Sequence, residues 1–232
     1  GLIALSESGH ITAADRLVTR LHELQQTDGC WYAGYDCLDN TPIDTTTPVG
    51  ANAWMVYALA RYDAIRRGLS PIPTEAYADA RACAGRLVRL QRSDGSLPAL
   101  PGETSAPTEP NLDAWWAFQA TGYCTQAREL QAFLLRRVWD DEMGRFRSSA
   151  DTHQIFLDNQ TWGAGFLRAI GREADARRAL SYARWTLAAT STDGHVCGFD
   201  GAGPFSVWNE GALQYVAAQG ENSQYYWGQV AG

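Results

Sequence analysis

Acidic residues in this sequence recur beside tryptophan and asparagine. Asp113 stands in Asn111-Leu-Asp-Ala-Trp-Trp116, Asp158 in Leu157-Asp-Asn-Gln-Thr-Trp162, and Glu210 in Phe205-Ser-Val-Trp-Asn-Glu210. A fourth acid, Asp36, follows Tyr35 in a loop rich in turn formers. Two carboxyls, one protonated and one ionised, are what hydrolysis of a glycosidic bond requires: the first protonates the leaving oxygen, the second activates water or attacks the sugar. Tryptophan faces pack on the apolar faces of pyranose rings, and asparagines exchange hydrogen bonds with hydroxyls. On residue type, Glu210 is the candidate acid, Asp113 and Asp158 are candidates for the base, and Asp36 is an outsider on a loop that could close over substrate. Tyr35, Trp54, Asn111, Trp115, Trp116, Asn159, Trp162 and Trp208 are the candidate substrate contacts.

Each of these residues also has a plainer use. An Asp before a helix is a good N-cap, worth ~0.5–2 kcal/mol, so Asp113 and Asp158 could simply close helix starts. Any of the tryptophans could be core packing. Glu210 is pulled both ways, since a helix first turn stabilises its anion and burial beside Trp208 would favour its neutral form. Acting as an acid requires burial to win.

The elements that would position these groups show in the pattern of glycines. Gly122, Gly171 and Gly220 close three Ala/Gly-rich segments at a constant interval of 49 residues, and Val49–Gly68 is a longer segment of the same kind. A period of this length indicates stacked supersecondary units. Between these nearly uncharged segments lie amphipathic, Arg-decorated ones at 11–29, 74–95, 125–140 and 173–190, and a further one opens at 221. Helices apolar all round are buried and those with one charged face border water, so the alternation predicts inner and outer helices. Small residues such as Gly163, Gly165 and Gly211 would let inner helices approach closely. The stretch 96–110, with four prolines, and the loop before Pro48 are expected to be irregular.

Composition narrows the functions. All nineteen basic residues are Arg, so lysine chemistry is excluded, and the net charge of -7 without a basic run argues against nucleic acid or an anionic membrane surface. No apolar run reaches the length of a membrane span. The four histidines have no metal spacing, no G-x-S-x-G elbow is present, and no cofactor or metal is expected. The five cysteines do not form a C-x-x-C pair; Cys30 and Cys37 could bridge within one loop, but most are expected to be small buried hydrophobes.

The inner-helix openings Asn52-Ala-Trp54, 111–116, 157–163 and 207–211, with the outer-helix endings Leu-Gln-Gln-Thr-Asp-Gly-Cys-Trp (24–31) and Leu-Gln-Arg-Ser-Asp-Gly-Ser (90–96), resemble the six-hairpin, or (α/α)6 toroid, glycosidase superfamily. The resemblance covers almost the whole chain. It implies an all-α toroid of antiparallel helix hairpins, a single domain over 1–232 with residues missing at both ends, and a mouth on which the inner-helix N-termini converge. Asp39, Glu103, Glu109 and Asp200 would join the four candidate acids there, and Phe205 the aromatics. The implied activity is hydrolysis of a poly- or oligosaccharide, with a carbohydrate as the partner and a secreted or periplasmic location. Rival activities on the same toroid are a polysaccharide lyase using Tyr35 and His153, a terpene-cyclase-like enzyme, and a noncatalytic carbohydrate-binding module. The Q-x-x-D-G repeat is similar to that of squalene-type cyclases, but their Asp-x-Asp-Asp acid motif is absent.

Overall fold

In the computed structural model residues 1–69, 74–190, 197–203 and 206–220 are described. Ser70–Pro73, His195, Phe205 and the helix expected from residue 221 lie outside them. The chain divides into two compact units, 1–133 and 134–232.

The first unit contains α1 (Leu2–Glu7), α2 (Ile11–Leu24), α3 (Val49–Leu69), α4 (Glu75–Leu90), α5 (Thr108–Thr121) and α6 (Cys124–Phe133). Its core forms where α3 packs against both α4 and α5. Val49, Ala53, Val56 and Leu59 of α3 meet Ala80, Cys83, Ala84 and Leu87 of α4, and Leu112, Ala114, Trp115 and Phe118 of α5, all buried. The arginines of α4 stay toward water, Arg81 and Arg89 being exposed. With most of the buried core on them, α3 and α5 are the inner layer and the Arg-decorated α4 the outer one, as the sequence pattern predicts.

The second unit opens with a π-helical turn (Leu134–Val138) that ends the outer helix earlier than its periodicity suggests. It continues through α7 (Leu157–Ala169), α8 (Glu173–Leu187) and α9 (Asn209–Ala218). Here α7 is central, packing on α8 and α9. The Arg168 guanidinium of α7 also donates to the Ala218 carbonyl at the end of α9.

The loops are more ordered than expected. Each of three carries a short antiparallel hairpin: β1 (Gly34–Tyr35) with β2 (Pro42–Asp44), β3 (Trp139–Asp140) with β4 (Arg145–Phe146), and β5 (Ala188–Thr190) with β6 (Cys197–Phe199). The spaced glycines do terminate helices, with Gly122, Gly171 and Gly220 at φ of 80°, 80° and 66°, a left-handed conformation that costs glycine nothing. Gly163 makes room for the Phe146 ring of β4 rather than for another helix, and nothing lies within 4 Å of a Cβ at Gly165.

The Q-x-x-D-G repeat ties helix ends together. Gln25 donates to the carbonyls of Gly29 (2.7 Å) and Asp79 (2.9 Å), and Gln91 donates to those of Gly95 (2.9 Å) and Gln126 (3.0 Å). Each Gln thus fixes its own loop and the next outer helix. The glycines are left-handed and sit against that helix's backbone: a Cβ at Gly29 would come within 2.8 Å of the Ala82 carbonyl, and one at Gly95 would overlap the Glu129 carbonyl.

The cysteines depart from expectation. Cys30 is bonded to Cys83, 53 residues away on α4, and Cys37, Cys124 and Cys197 are exposed free thiols rather than buried hydrophobes. The pairing follows from the Gln25 tie, which brings the loop after α2 onto α4.

Candidate active site

Three inner helices share one device that was not visible as such in the sequence. Near the start of each, a buried amide side chain clasps both backbone polar groups of one residue in the preceding loop and caps a carbonyl four residues back. Asn52 accepts from the Trp31 N–H (2.8 Å) and donates to the carbonyls of Trp31 (3.1 Å) and Pro48 (3.0 Å). Asn111 does the same with Leu97 N–H (2.7 Å), Leu97 O (2.9 Å) and Pro107 O (2.7 Å). Gln160 repeats it with Phe146 N–H (2.9 Å), Phe146 O (2.7 Å) and Phe156 O (3.3 Å). All three amides are therefore committed to the backbone, and Asn111 is a clasp rather than a free hydroxyl partner.

In the first unit the structure gives the other candidates mixed placements. The Tyr35 hydroxyl receives the Tyr32 N–H (3.1 Å) and Gln26 amide (3.2 Å) and donates to the Leu24 carbonyl (3.0 Å), pinning the hairpin loop to the end of α2. Asp36 accepts the Leu38 N–H at 2.7 Å and organises the β1–β2 turn. Asp39 and Asp44 each bind the N–H and hydroxyl of a threonine two residues on, bonds that lower both carboxyl pKa values. Trp31 is buried, its indole N–H on the Leu21 carbonyl at 2.7 Å.

Asp113 does not cap α5. The N-cap is Pro107, and Asp113 lies buried within the helix, its carboxylate 3.3 Å from where a Cβ at Gly50 would stand. A side chain at 50 would crowd it, so the glycine permits the approach of α3 to α5. Beside it runs an aromatic chain. Trp54 and Tyr57 have centroids 5.5 Å apart, Tyr57 and Trp116 5.9 Å, and Trp115 and Trp116 4.8 Å, edge to face. Trp54, Tyr57 and Trp116 are each only half-buried, leaving part of their rings accessible, while Trp115 is core.

The second unit brings two of the candidate acids together. The Leu157 N–H donates to the Gly201 carbonyl (2.8 Å) and the Trp208 N–H to that of Phe199 (2.8 Å), holding the loop before α9 against the start of α7. Asp200 folds that loop. Its two carboxylate oxygens accept from Ala202 N–H (3.0 Å), Gly203 N–H (3.2 Å), and Ser206 N–H and hydroxyl (2.7 and 2.8 Å), which pull its pKa down to about 2. Asp200 is thus a permanently ionised loop staple. Trp208 is the N-cap residue of α9, its ring seated where a Cβ at Gly211 would be.

With the two helix starts side by side, Asp158 in the first turn of α7 lies within the electrostatic reach of Glu210 in the first turn of α9. Burial raises the Asp158 pKa, and the Glu210 charge raises it further. Bonds from the Asn159 and Asp158 N–H groups oppose the rise without cancelling it. Glu210 is exposed and accepts a long 3.4 Å bond from Gln214. The expected arrangement, Glu210 buried against Trp208, is therefore reversed: Asp158 is the withdrawn carboxyl and Glu210 the solvated one. Asn159 is buried next to Asp158, and Trp162, one turn on, is half-buried.

No protein-family model matches the chain, and no curated protein matches it by sequence. Solved structures do. A D-mannose isomerase crystal structure aligns with TM-score 0.66 and 11% identity over 98% of this chain and 70% of that one. A family 76 glycoside hydrolase from a bovine Bacteroides thetaiotaomicron strain aligns with TM-score 0.58 and 11% identity over 92% of this chain and 55% of that one. At this identity the likeness shows the fold: the chain is an all-α toroid of antiparallel helix hairpins, as its resemblance to the six-hairpin superfamily implied.

Proposed function

We propose that the chain is a carbohydrate-active enzyme, a glycoside hydrolase acting on a poly- or oligosaccharide, with Asp158 as general acid and Glu210 as its ionised partner. The observation that carries this reading is the unequal environment of two neighbouring carboxyls. Like charges close together resist double ionisation, and the more buried group keeps the proton. Asp158, whose pKa burial raises, donates its proton to the glycosidic oxygen as the bond to C1 breaks. Glu210, open to solvent, takes a proton from the attacking water or itself attacks C1. Trp208 and Trp162 would supply stacking faces for the sugar rings.

Both solved structures reported above are named for proteins that act on sugars, which supports the substrate class. The lyase alternative needs a cation to neutralise a uronate, whereas the charge bearing on Asp158 is that of another carboxylate. An isomerase reading is favoured by the mannose isomerase likeness and would use the same pair to move a proton between C1 and C2. A Cys30–Cys83 disulfide suits an oxidising compartment, in line with a secreted or periplasmic setting.

The test is a panel of neutral and uronic polysaccharides read by reducing ends and by unsaturated-product absorbance, with D-mannose read for D-fructose. Asp158→Asn and Glu210→Gln should each lower hydrolytic turnover ~100-fold or more with the fold intact. Normal turnover in either variant removes that residue from the mechanism, and unsaturated product or fructose replaces the hydrolase with the lyase or isomerase.

A further inference from the structure

Away from the carboxyl pair, the outer face of α8 carries a groove that no part of the proposed chemistry uses. Residues 174, 177, 178, 181, 182 and 185 fall on one stripe of this helix, and Glu142 and Met143 at the tip of the β3–β4 hairpin form the opposite wall. Together they line an open groove of ≈ 560 Å³. Trp185 lies at one end of the stripe and is 86% exposed, while Met143 is 51% exposed.

The groove is built rather than incidental. Arg178 clamps the hairpin to the helix, its guanidinium reaching Asp141 (3.3 Å) and Asp175 (3.1 Å) and donating to the Asp141 and Glu142 carbonyls. Gly144 lets the turn lie directly on Arg178, since a Cβ there would come within 2.9 Å of the arginine Cβ. The Tyr182 hydroxyl is fixed by Arg145 at 2.7 Å. Arg177 is left 67% exposed, with only a 3.6 Å contact to Glu173. A rigid floor lowers the entropy cost of binding.

From these features we infer that the α8 groove is a second carbohydrate-binding site, holding a neutral polysaccharide chain on the outside of the enzyme with Trp185 as the stacking platform. This rests on the carbohydrate reading of the protein. A flat aromatic face edged by guanidinium (Arg177), carboxylate (Glu142) and hydroxyl (Ser181) groups matches a pyranose, which is apolar on its faces and hydroxylated at its rim. The charges select a neutral ligand, because Arg178 is paired with Asp141 and Asp175, and Arg177 with Glu173.

The test is affinity electrophoresis of the whole protein in gels containing mannan, xylan, β-glucan, dextran or polygalacturonate, paired with kinetics on a short soluble oligosaccharide and on the polymer. One neutral polymer should retard the wild type. Trp185→Ala should weaken that interaction ~10-fold and raise KM for the polymer, leaving kcat and KM for the short substrate unchanged. Asp158→Asn should remain retarded, so loss of catalysis and loss of the groove read out separately. The inference is overturned if no neutral polymer retards the wild type, if Trp185→Ala is retarded like the wild type, or if polygalacturonate binds more tightly than the neutral polymers. It is also overturned if sedimentation shows a dimer that Trp185→Ala dissociates.

Discussion

The amide clasps separate a structural from a substrate-binding role with a single substitution. Asn111 is fully buried, and its three hydrogen bonds satisfy the Leu97 N–H, the Leu97 carbonyl and the Pro107 carbonyl. Asn111→Ala deletes all three. A typical net hydrogen bond is worth ~1 kcal/mol, and a buried group left unsatisfied costs about 1–3 kcal/mol. With Leu97 itself buried, neither of its backbone groups gains water readily. The loss of stability should therefore be about 3–5 kcal/mol, large on the scale of a whole domain. Gln119→Ala on the exposed side of the same helix should stay within about 0.5 kcal/mol. Urea unfolding followed by far-UV circular dichroism measures both. The reasoning is refuted if Asn111→Ala costs under ~1 kcal/mol while raising KM, which is the signature of a side chain free to meet substrate.

Two further outcomes follow from the cross-links of the first unit. The Cys30–Cys83 bond closes a 53-residue interval, so chain-entropy arguments give about 4 kcal/mol. The Cys30→Ala/Cys83→Ala variant should lose a large part of that, and thiol titration of the denatured wild type should find three of its five cysteines reactive; five reactive thiols would deny the bond. His22 of α2 pairs with the buried Asp79 of α4 at 2.9 Å, and the hydrogen bond and charge of Asp79 raise the His22 pKa. A raised histidine pKa contributes stability that is fully present below the unfolded value near ~6.5 and is lost as pH rises through the folded value. The melting-temperature gap between wild type and His22→Ala should accordingly be wider at acidic than at mildly alkaline pH, and an equal gap at both would contradict the pairing.

The sequence carried the helices well because their signals are local. Terminal glycines, Ala/Gly-rich inner segments and Arg-rich outer ones each depend on residues a few positions apart. The Gln-x-x-Asp-Gly repeat was recognisable only by its similarity to that of squalene-type cyclases, and its bonds to the next outer helix show in the structure. The hairpins escaped because their strands are only two or three residues long, too short for alternation to show. The disulfide escaped because its partners meet only after α2 and α4 are docked. At the proposed site, residue type picked out Asp158 and Glu210, but their unequal exposure, on which the proposed roles rest, shows only in the folded chain. Asn111 and Tyr35 have the chemistry of sugar contacts and are used on the backbone instead. The Trp185 position was readable as the polar face of an amphipathic helix, where a tryptophan stands out, yet helix periodicity alone gives it no purpose.

The central claim is that partial burial and the nearby Glu210 charge raise the Asp158 pKa, and carboxyl-carbon NMR titration of Asp158 in the wild type and in Glu210→Gln tests it most directly. The account predicts a midpoint above the ordinary aspartate value of ~3.9 in the wild type. In the variant the midpoint should move down, since the neighbouring charge is gone, while staying above that ordinary value because burial is the larger cause. A wild-type midpoint at or below ~3.9, unmoved by the substitution, would contradict it.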